Sequence, residues 1–492
     1  MRPSRHYLAP LVVGILITQS LTLAQPITVA LAQPFGPFPP GPPPKCAPCP
    51  VAFTRPLVIP EVLTGSNITL TAEVADVQIL PGTKTQMWTY NGTFPGPTIR
   101  RPTGENTTVN FVNNLVPNDG SLTIHHHGNH STSSSDGQPD DFLAQPGGDP
   151  VTYLYTGTEA GGNERGAFQW YHDHRMGFTA RNVWMGLAGM YIIDDPADPQ
   201  TLPTGEFDVP LLIVDRRFTE SNQLDPGGPF AYTLVNGVPQ PYLDVGDRKY
   251  RLRILNASNA SLYDFALSSG QSFLQIGTES GLLPAPVRRS HILMGPAERV
   301  DVIIDFANRL NQRIVLRNRN HGDLPQAVLQ FRVTSHVTDD SSIPTTLRPL
   351  PPLDPVSATT RTFVFDLMGD QQTINGRAFD PNRVDAYPEL ETTETWILKN
   401  KSDATHFIHI HSVDQQLVSR NGVAPRPYEL MKETWMLSPG ETVIVRLKFT
   451  DNVGKFMFHC HILEHEDAGM MAQYQVRPWE PTWAGRRSRR AI

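Results

Sequence analysis

The sequence has few cysteines, no excess of basic residues and almost no long apolar run. Its 492 residues include three cysteines, and its formal net charge of −7 gives no support for nucleic-acid binding. The basic run within residues 479–492 predicts a solvated tail, with surface anchoring as the alternative. Apart from one apolar stretch near the N-terminus, no segment has the composition of a transmembrane helix. We therefore expect no stable membrane insertion.

Two of the cysteines, Cys46 and Cys49, form a C-x-x-C pair in a Pro-rich stretch. Such a pair can be a redox or metal motif, but no βαβ pattern surrounds it here. We predict a local disulfide or a pair without function, and keep a functional site as the alternative. The third cysteine, Cys460, lies in the His-rich run His459–His465.

The N-terminus has the pattern of an export signal. Arg2 and Arg5 precede the apolar stretch Leu8–Ile17, and small-x-small cleavage sites end at Ala24 and Ala32. The alternative is a retained anchor, but the apolar stretch is too short to span a membrane comfortably. We predict a secreted or periplasmic protein.

Proline and glycine are frequent, at 46 and 37 residues, which favours a turn-rich β architecture over a helix bundle. From Leu57 onward, short runs of alternating apolar residues recur between Gly, Pro and Asn breaks, as they do in β-sandwiches. The pattern predicts an all-β chain with three sandwich domains. We predict a signal peptide at 1–32, a Pro-rich leader at 33–55, domains at 56–197, 205–335 and 361–478, a linker at 336–360 and a tail at 479–492.

Most of the sixteen histidines fall into four short clusters. The clusters are His125–Gly128, Trp170–His174, His406–His411 and His459–His465. On a strand, an H-x-H pair places both imidazoles on one face, roughly 6–7 Å apart. One such pair is weak evidence for a metal site, because histidines also occur on loops and in cores. Four clusters with a His-Cys-His centre are strong evidence.

Strand alternation also assigns faces within the clusters. Gly128 and the apolar residues before His125 favour His125 and His127 as the pair on one face, so His126 is predicted to point away. In the last cluster Cys460 faces the side opposite to its two flanking histidines. One short strand can then serve two metal centres, and a thiolate with two imidazoles and a distant methionine is typical of a blue-copper site.

These four clusters resemble those of the three-domain multicopper oxidases, the laccase family. The W-Y-H-D-H cluster, the stretch RKYRLRILNASNA at 248–260 and the run H-C-H-I-L-E-H-E-D are most similar to the branch that holds bacterial spore-coat laccase and bilirubin oxidase. The resemblance covers nearly the whole chain after the N-terminal signal. It implies three cupredoxin-like Greek-key β-sandwich domains and four copper ions: one type 1, one type 2 and two type 3.

The resemblance also implies the copper ligands. Type 1 copper would be bound by His406, Cys460 and His465, with Met470 as the weak axial ligand. Type 2 copper would be bound by His125 and His409. The type 3 pair would be bound by His127, His172 and His461 on one ion and by His174, His411 and His459 on the other. Met470 is selected over Met471 by its spacing from His465, and a methionine ligand implies a moderate potential that suits easily oxidised phenols.

The implied activity couples four one-electron oxidations of phenolic or related aromatic donors to the reduction of O₂ to two waters. Electrons would enter at the edge of His465 and continue through Cys460. Asp136 and Glu466 align with acidic residues of the related laccases and are candidate proton carriers. A turn residue is the alternative for Asp136, and Asp173 is expected to face away from the metals. The expected partners are a small-molecule donor and O₂, and the oligomeric state stays open.

Two other functions stay open at this point. A metallo-oxidase would act on Fe(II), Mn(II) or Cu(I), although the twelve methionines are dispersed rather than gathered in an insertion. A non-catalytic copper-binding protein would not need the full ligand set.

Overall fold

The computed structural model describes residues 51–115, 120–228, 230–322, 324–353, 356–369 and 371–478. The predicted signal peptide, Cys46, Cys49 and the basic tail lie outside these residues. Within the described part nearly every element is a β-strand, so the prediction of an all-β chain is confirmed. The strands form three successive pairs of sheets.

The first pair of sheets uses the strands between Val62 and Asp194. They are β1 (Val62–Leu63), β2 (Asn67–Val77), β3 (Thr85–Tyr90), β4 (Thr98–Pro102), β5 (Thr107–Asn113), β6 (Ile124–His127), β7 (Val151–Tyr155), β8 (Thr158–Glu159), β9 (Gly162–Asn163), β10 (Ala167–Asp173) and β11 (Ala188–Asp194). One sheet has the order β1-β4-β11-β10-β6 and the other β3-β2-β5-β7, while β8 and β9 form a separate hairpin.

The second pair of sheets follows along the chain. Its strands are β12 (Asp208–Phe218), β13 (Phe230–Val235), β14 (Val238–Pro239), β15 (Tyr242–Gly246), β16 (Lys249–Asn256), β17 (Tyr263–Leu267), β18 (Phe273–Thr278), β19 (Gly281–Arg289), β20 (Ile292–Met294), β21 (Arg299–Asp305), β22 (Arg313–Asn318) and β23 (Ala327–Ser335). The sheets have the orders β14-β13-β12-β16-β21-β18-β19 and β15-β23-β22-β17-β20.

The third pair of sheets completes the described chain. Its strands are β24 (Val356–Met368), β25 (Gln371–Ile374), β26 (Thr392–Asn400), β27 (His406–Ile410), β28 (Gln415–Arg420), β29 (Met431–Lys432), β30 (Thr434–Leu437), β31 (Thr442–Phe449), β32 (Gly454–Cys460) and β33 (Met471–Val476). The sheets have the orders β25-β24-β26-β31-β28-β29 and β30-β27-β32-β33. Because β24 begins at Val356, the last part of the predicted 336–360 linker is strand. The domain boundaries themselves stay predictions.

Helices are short in the described part of the chain. They are α1 (Thr179–Met185), α2 (Leu463–Asp467) and 3₁₀ turns at Ser133–Ser135 and Gly205–Phe207. The two α-helices contact each other, and the Asp467 carboxylate accepts the backbone N–H groups of Thr179 and Ala180 at the start of α1. None of the helices in the described ranges has the length and hydrophobicity needed to cross a membrane.

Side-chain alternation explains how each pair of sheets encloses a core. In β5 and β31, buried residues alternate with partly exposed ones along the whole strand. Each pair of sheets has its own cluster of buried apolar residues. Burying one large apolar side chain contributes about 1.5–3 kcal/mol. A further cluster, which includes Trp170, Leu212 and Leu255, packs the first pair of sheets against the second.

Strand pairing places the His-rich clusters beside one another. In the first pair of sheets β6 runs antiparallel to β10, with His125 opposite His172. In the third pair β27 runs antiparallel to β32, with His409 opposite His459. In each of these two pairs of sheets, strands that are separated along the chain are therefore neighbours, and their register places histidines opposite each other.

Candidate metal centre

A mononuclear group is formed by His406, Cys460 and His465. The Cys460 Sγ atom lies 3.5 Å from His406 Nδ1 and 3.8 Å from His465 Nδ1, and the two Nδ1 atoms are 3.2 Å apart. His406 begins β27, Cys460 ends β32 and His465 lies on α2. Met470 is fully buried, and its backbone binds the same residues: its N–H donates to His465 O and its carbonyl accepts the Cys460 N–H. Met471 instead begins β33 opposite His459.

Protonation in this group suits cation binding. Burial, with His465 nearby, lowers the pKa of His406 to about 3, so its ring is neutral at pH 7. Its Nε2 lies 2.7 Å from Ser402 Oγ, which donates to Asn400 Oδ1 and accepts from the ring. The other ring nitrogen of His406, Nδ1, therefore keeps its lone pair and can bind a metal ion. Burial raises the pKa of the Cys460 thiol to about 12, and a bound cation is what would turn it into a thiolate.

The second group contains eight buried histidines. They are His125, His127, His172, His174, His409, His411, His459 and His461. Their ring nitrogens form three subgroups, each with all atoms within 4.8 Å of one another. The subgroups are His125 with His127 and His409, then His127 with His172 and His461, and then His174 with His411 and His459.

Short distances between Nε2 atoms define the centre of this group. His125 Nε2 lies 3.4 Å from His409 Nε2. The Nε2 atoms of His174, His411 and His459 lie 3.0–3.3 Å from one another. Within each of these two sets, the neutral imidazole nitrogens are directed towards a common point. A bound cation requires this arrangement of lone pairs.

Several of these nitrogens have no hydrogen-bond partner although they are buried. They include His127 Nδ1, His172 Nε2 and both ring nitrogens of His461. An unpaired buried polar atom costs about 1–3 kcal/mol. Burial also lowers the pKa of His172 to about 3 and that of His174 to about 4, so these rings carry free lone pairs at neutral pH. The residues present therefore fit bound metal ions.

Backbone carbonyls and carboxylates hold the rings in place. The Nδ1 atoms of His125, His172 and His409 face the carbonyl oxygens of Asp136, Asp173 and Glu433 at 2.6, 2.7 and 3.1 Å. Fixing one ring nitrogen in this way sets the tautomer and leaves the other nitrogen for a metal. His127 has the opposite orientation, because its Nε2 faces Glu433 Oε1 at 3.3 Å and its Nδ1 is the free atom.

Asp136 and Glu466, the two predicted proton carriers, lie against this group, and their role stays a prediction. Asp136 Oδ2 lies 2.9 Å from His411 Nδ1, and burial raises the pKa of Asp136 well above its usual range. Glu466 contacts His174 Nδ1 at 3.3 Å and His459 Nδ1 at 3.1 Å. Burial alone would raise the pKa of Glu466, but the two histidines outweigh it and lower the pKa.

His126 and Asp173 face away from the two metal-binding groups, as predicted from the sequence. The His126 ring points away from the group and packs against Tyr155 and Tyr191, with centroids 4.5 and 3.9 Å away. Asp173 makes structural hydrogen bonds, because its carboxylate accepts from Thr123 N, Arg175 N and Asn182 Nδ2.

Sequence reasoning missed Glu433 and Ser402. Glu433 forms an ion pair with the fully buried Arg299, contacts His127, and holds His409 through its carbonyl. No motif indicates this residue. Thr434, the residue after Glu433, lies opposite His409 in the pairing of β27 with β30. Glu433 could therefore have been found only if that strand pairing had been known.

The fold and these groups define an all-β metalloprotein in which one strand, β32, joins a thiolate-containing mononuclear site to an eight-histidine site. Multicopper oxidase family profiles match residues 71–198 and 350–480. The laccase of Bacillus subtilis (strain 168) is 35% identical over 468 residues, covering 80% of this chain and 90% of the relative. The chain therefore belongs to the multicopper oxidases of the laccase family, which are copper-dependent enzymes that use oxygen.

Further comparisons agree with this assignment. The bilirubin oxidase of Albifimbria verrucaria is 34% identical over 474 residues, covering 86% of this chain and 81% of the relative. The crystal structure of laccase from Pediococcus acidilactici matches with a TM-score of 0.79 and 33% identity, covering 87% of this chain and 95% of that chain. These matches confirm the predicted cupredoxin-like β-sandwich fold.

Proposed function

We propose that this protein couples four one-electron oxidations of phenolic or related aromatic donors to the reduction of O₂ to two waters. The observation that carries the proposal is the position of Cys460, which joins the mononuclear group while its direct neighbours His459 and His461 belong to the eight-histidine group. The two groups are thus linked through the covalent bonds of three consecutive residues.

Four coppers are assigned within the proposal. The type 1 ion is assigned to His406, Cys460 and His465 with Met470, and the type 2 ion to His125 and His409. The type 3 ions are assigned to His127 with His172 and His461, and to His174 with His411 and His459. Copper at these positions supplies one-electron redox chemistry and the binding of O₂. The subgroups of converging nitrogens support this division.

The residues of the chain perform the other steps. Among the three ligands of the mononuclear group, His465 is the one that is partly exposed, so its edge is the entry point for electrons. Cys460 and the backbone carry electrons towards His459 and His461. Asp136, beside His411, and Glu466, beside His174 and His459, are proposed to hold and release the protons that water formation consumes.

Oxygen uptake by copper-loaded protein tests this function. With a methoxyphenol as donor, we expect four donor molecules to be oxidised for each O₂ consumed, with no hydrogen peroxide detected. Peroxide as the main product would contradict four-electron reduction. Rapid uptake with Fe(II) or Mn(II) and none with phenols would contradict the assignment of the donor.

A metallo-oxidase is the second candidate, because the helix that holds His465 also carries acidic side chains. Glu464 precedes His465, and its Oε1 accepts a hydrogen bond from Asn259 Nδ2 at 3.0 Å. Glu464 Oε2 and Asp215 Oδ1 are buried without a hydrogen-bond partner. Burial and the negative charge of Asp215 raise the pKa of Glu464. If a metal ion is the donor, Glu464→Gln should raise KM for Fe(II) or Mn(II) and leave KM for phenols unchanged.

Export to a periplasmic or extracellular space is also part of the proposal, and it rests on the N-terminal sequence pattern alone. Expression of the full chain followed by fractionation and N-terminal sequencing tests it. We expect mature protein outside the cytoplasm that begins after Ala24 or Ala32. Uncleaved chain confined to the cytoplasm would contradict export.

A further inference from the structure

A cavity of about 210 Å³ lies between the second and third pairs of sheets, and none of the residues that line it is a proposed copper ligand. Its walls come from residues 275–300 of the second pair and residues 420–441 of the third. Leu293 and Arg426 in these walls are exposed, so the cavity opens to solvent. Pockets for drug-sized ligands measure about 300–1,000 Å³. This smaller cavity therefore suits a molecule with a single aromatic ring.

Two arginines in the wall, Arg289 and Arg426, form no ion pair with a carboxylate of the described residues. The Arg289 guanidinium lies over the Tyr428 ring, 3.5 Å from its centroid, and donates to Gln275 Oε1 at 2.9 Å. The Arg426 guanidinium donates to the Tyr428 hydroxyl at 2.7 Å. Burial lowers the pKa of Arg289, and the positive charge of Arg426 lowers it further. One tyrosine therefore holds two like charges close enough to repel each other.

The other basic side chains in the wall already have carboxylate partners. These ion pairs are Arg420 with Glu429 and Glu441, Lys432 with Glu298, and Arg299 with Glu433. Arg289 and Arg426 are thus the two cations of the cavity that remain to bind an anion. A carboxylate would bridge them and remove their mutual repulsion.

The rest of the wall offers an apolar surface and a buried acceptor. Ile292, Met294 and Met436 are apolar, and methionine side chains adapt to the shape of an aromatic ring. Glu279 is 1% exposed, and its Oε1 accepts the Thr434 N–H at 3.3 Å. Its Oε2 has no hydrogen-bond partner. An unpaired buried polar atom costs about 1–3 kcal/mol, which a hydroxyl donated by a ligand would offset.

We propose that this cavity binds a small aromatic carboxylic acid that carries a hydroxyl group. Arg289 and Arg426 bind the carboxylate, because the planar N–H pairs of guanidinium groups match its two oxygens. The ring packs against Met294 and Met436, and the hydroxyl donates to Glu279 Oε2. This site is separate from the copper groups and does not depend on the proposed oxidation of donors.

The probe is para-hydroxymethylbenzoate, which is not a phenol and is therefore not consumed as an electron donor. Calorimetric titration of the copper-loaded full chain should give one bound molecule per chain and a Kd tighter than about 1 mM. We expect para-methylbenzoate, which lacks the hydroxyl, to bind about fivefold more weakly. We expect para-methylbenzyl alcohol, which lacks the carboxylate, to bind at least about tenfold more weakly.

Arg289→Gln should weaken binding of the probe at least about tenfold while the blue colour persists. Arg288→Gln is the matched control, because Arg288 is exposed and its position on β19 turns it to the opposite face from Arg289. This control should bind the probe like the parent. The absence of saturable binding in the parent would overturn the proposal. Equal affinities in the two variants would also overturn it, because they would indicate binding at copper or a general attraction of charge. If Arg289→Gln does not fold, the exposed change Arg426→Gln provides the same decision.

Discussion

At the scale of single residues, Cys460 has the clearest role. Its side chain is fully buried and lies between His406 and His465, while its strand neighbours point into the eight-histidine group. The thiol has a raised pKa because of burial. A thiolate is therefore expected here only when a metal ion is bound to the mononuclear group.

Cys460→Ser should abolish both the blue colour and donor oxidation while the protein stays folded. A hydroxyl is close in size to a thiol, so we expect a loss of stability of about 1–3 kcal/mol, the cost of one unpaired buried polar group. Absorption spectroscopy, oxygen uptake and thermal unfolding measure the three effects. Intense blue absorption in this variant would contradict the assignment of the mononuclear ligand.

Asp136→Asn should slow oxygen reduction by about 10²-fold or more, because an amide cannot carry a proton. The amide oxygen can still accept from His411 Nδ1, so the ring should stay in place. Anaerobic bleaching of the blue colour by the donor should not change, since it requires no oxygen chemistry. Asp140→Asn, an exposed change in the same loop, is the control. Equal oxygen-reduction rates in the two variants would exclude Asp136 as a proton carrier.

Residues at fixed local spacing could be predicted from the sequence, and residues that depend on strand pairing could not. His125, His127 and their counterparts share a face because strand geometry fixes it. Glu433 and Ser402 contact the same ligands, but their positions follow from how β27 pairs with β30 and how the loop before β27 folds. No local pattern carries that information.

At the scale of elements, the strands with one exposed face were the predictable ones. The alternation of β5 predicts a half-buried strand, and the structure has one. In β12 and β16 nearly every residue is buried, so alternation cannot mark where these strands begin and end. The apolar run Leu211–Val214, for example, is only part of β12. Tertiary packing extends such strands beyond their sequence signal.

β27 is constrained by a loop from the second pair of sheets. A Cβ atom at Gly295 would lie 1.8 Å from the Phe407 ring, which is buried next to His406. Gly295→Ala should therefore displace Phe407, destabilise the protein by about 1–3 kcal/mol and shift the blue absorption. Gly65→Ala is the control, because its Cβ meets nothing closer than 3.6 Å. Identical Tm values and spectra for the two variants would exclude this packing constraint.

At the scale of the whole molecule, the proposed copper ligands all come from the segments that form the first and third pairs of sheets. The second pair contributes structure instead: Arg299 from β21 forms an ion pair with Glu433, which contacts His127. A buried ionic network joins the first and second pairs, since Asp208 contacts Arg253 on β16 and Arg100 on β4. Through these contacts, the second pair of sheets stabilises the positions of residues next to the proposed metal ligands.

Asp208→Asn should lower the free energy of unfolding by about 3–5 kcal/mol, because it removes the carboxylate that the buried Arg253 contacts at 2.8 Å and leaves that guanidinium with the longer contact to Asp301 at 3.7 Å. Denaturant unfolding at pH 7 measures the change. Asp340→Asn is the control: Asp340 pairs with Arg248 at 2.8 Å, but its side chain is 87% exposed. An exposed pair contributes about 0–1 kcal/mol. Similar losses in the two variants would contradict a structural role for the buried network.

The same network predicts how stability changes in acid. Burial by itself would raise the pKa of Asp208, but Arg253 and Arg251 outweigh it and hold the pKa well below its usual range. A carboxyl group with a lowered pKa in the folded state stabilises the protein above its unfolded pKa of about 3.9, and this contribution is lost as the pH falls towards the folded value. The stability difference between parent and Asp208→Asn should therefore be constant from pH 7 to about 5 and shrink below about pH 4. Urea unfolding of both proteins at several pH values measures it. A difference that stays constant down to pH 3 would mean that the variant acts through packing and not through the charge of Asp208.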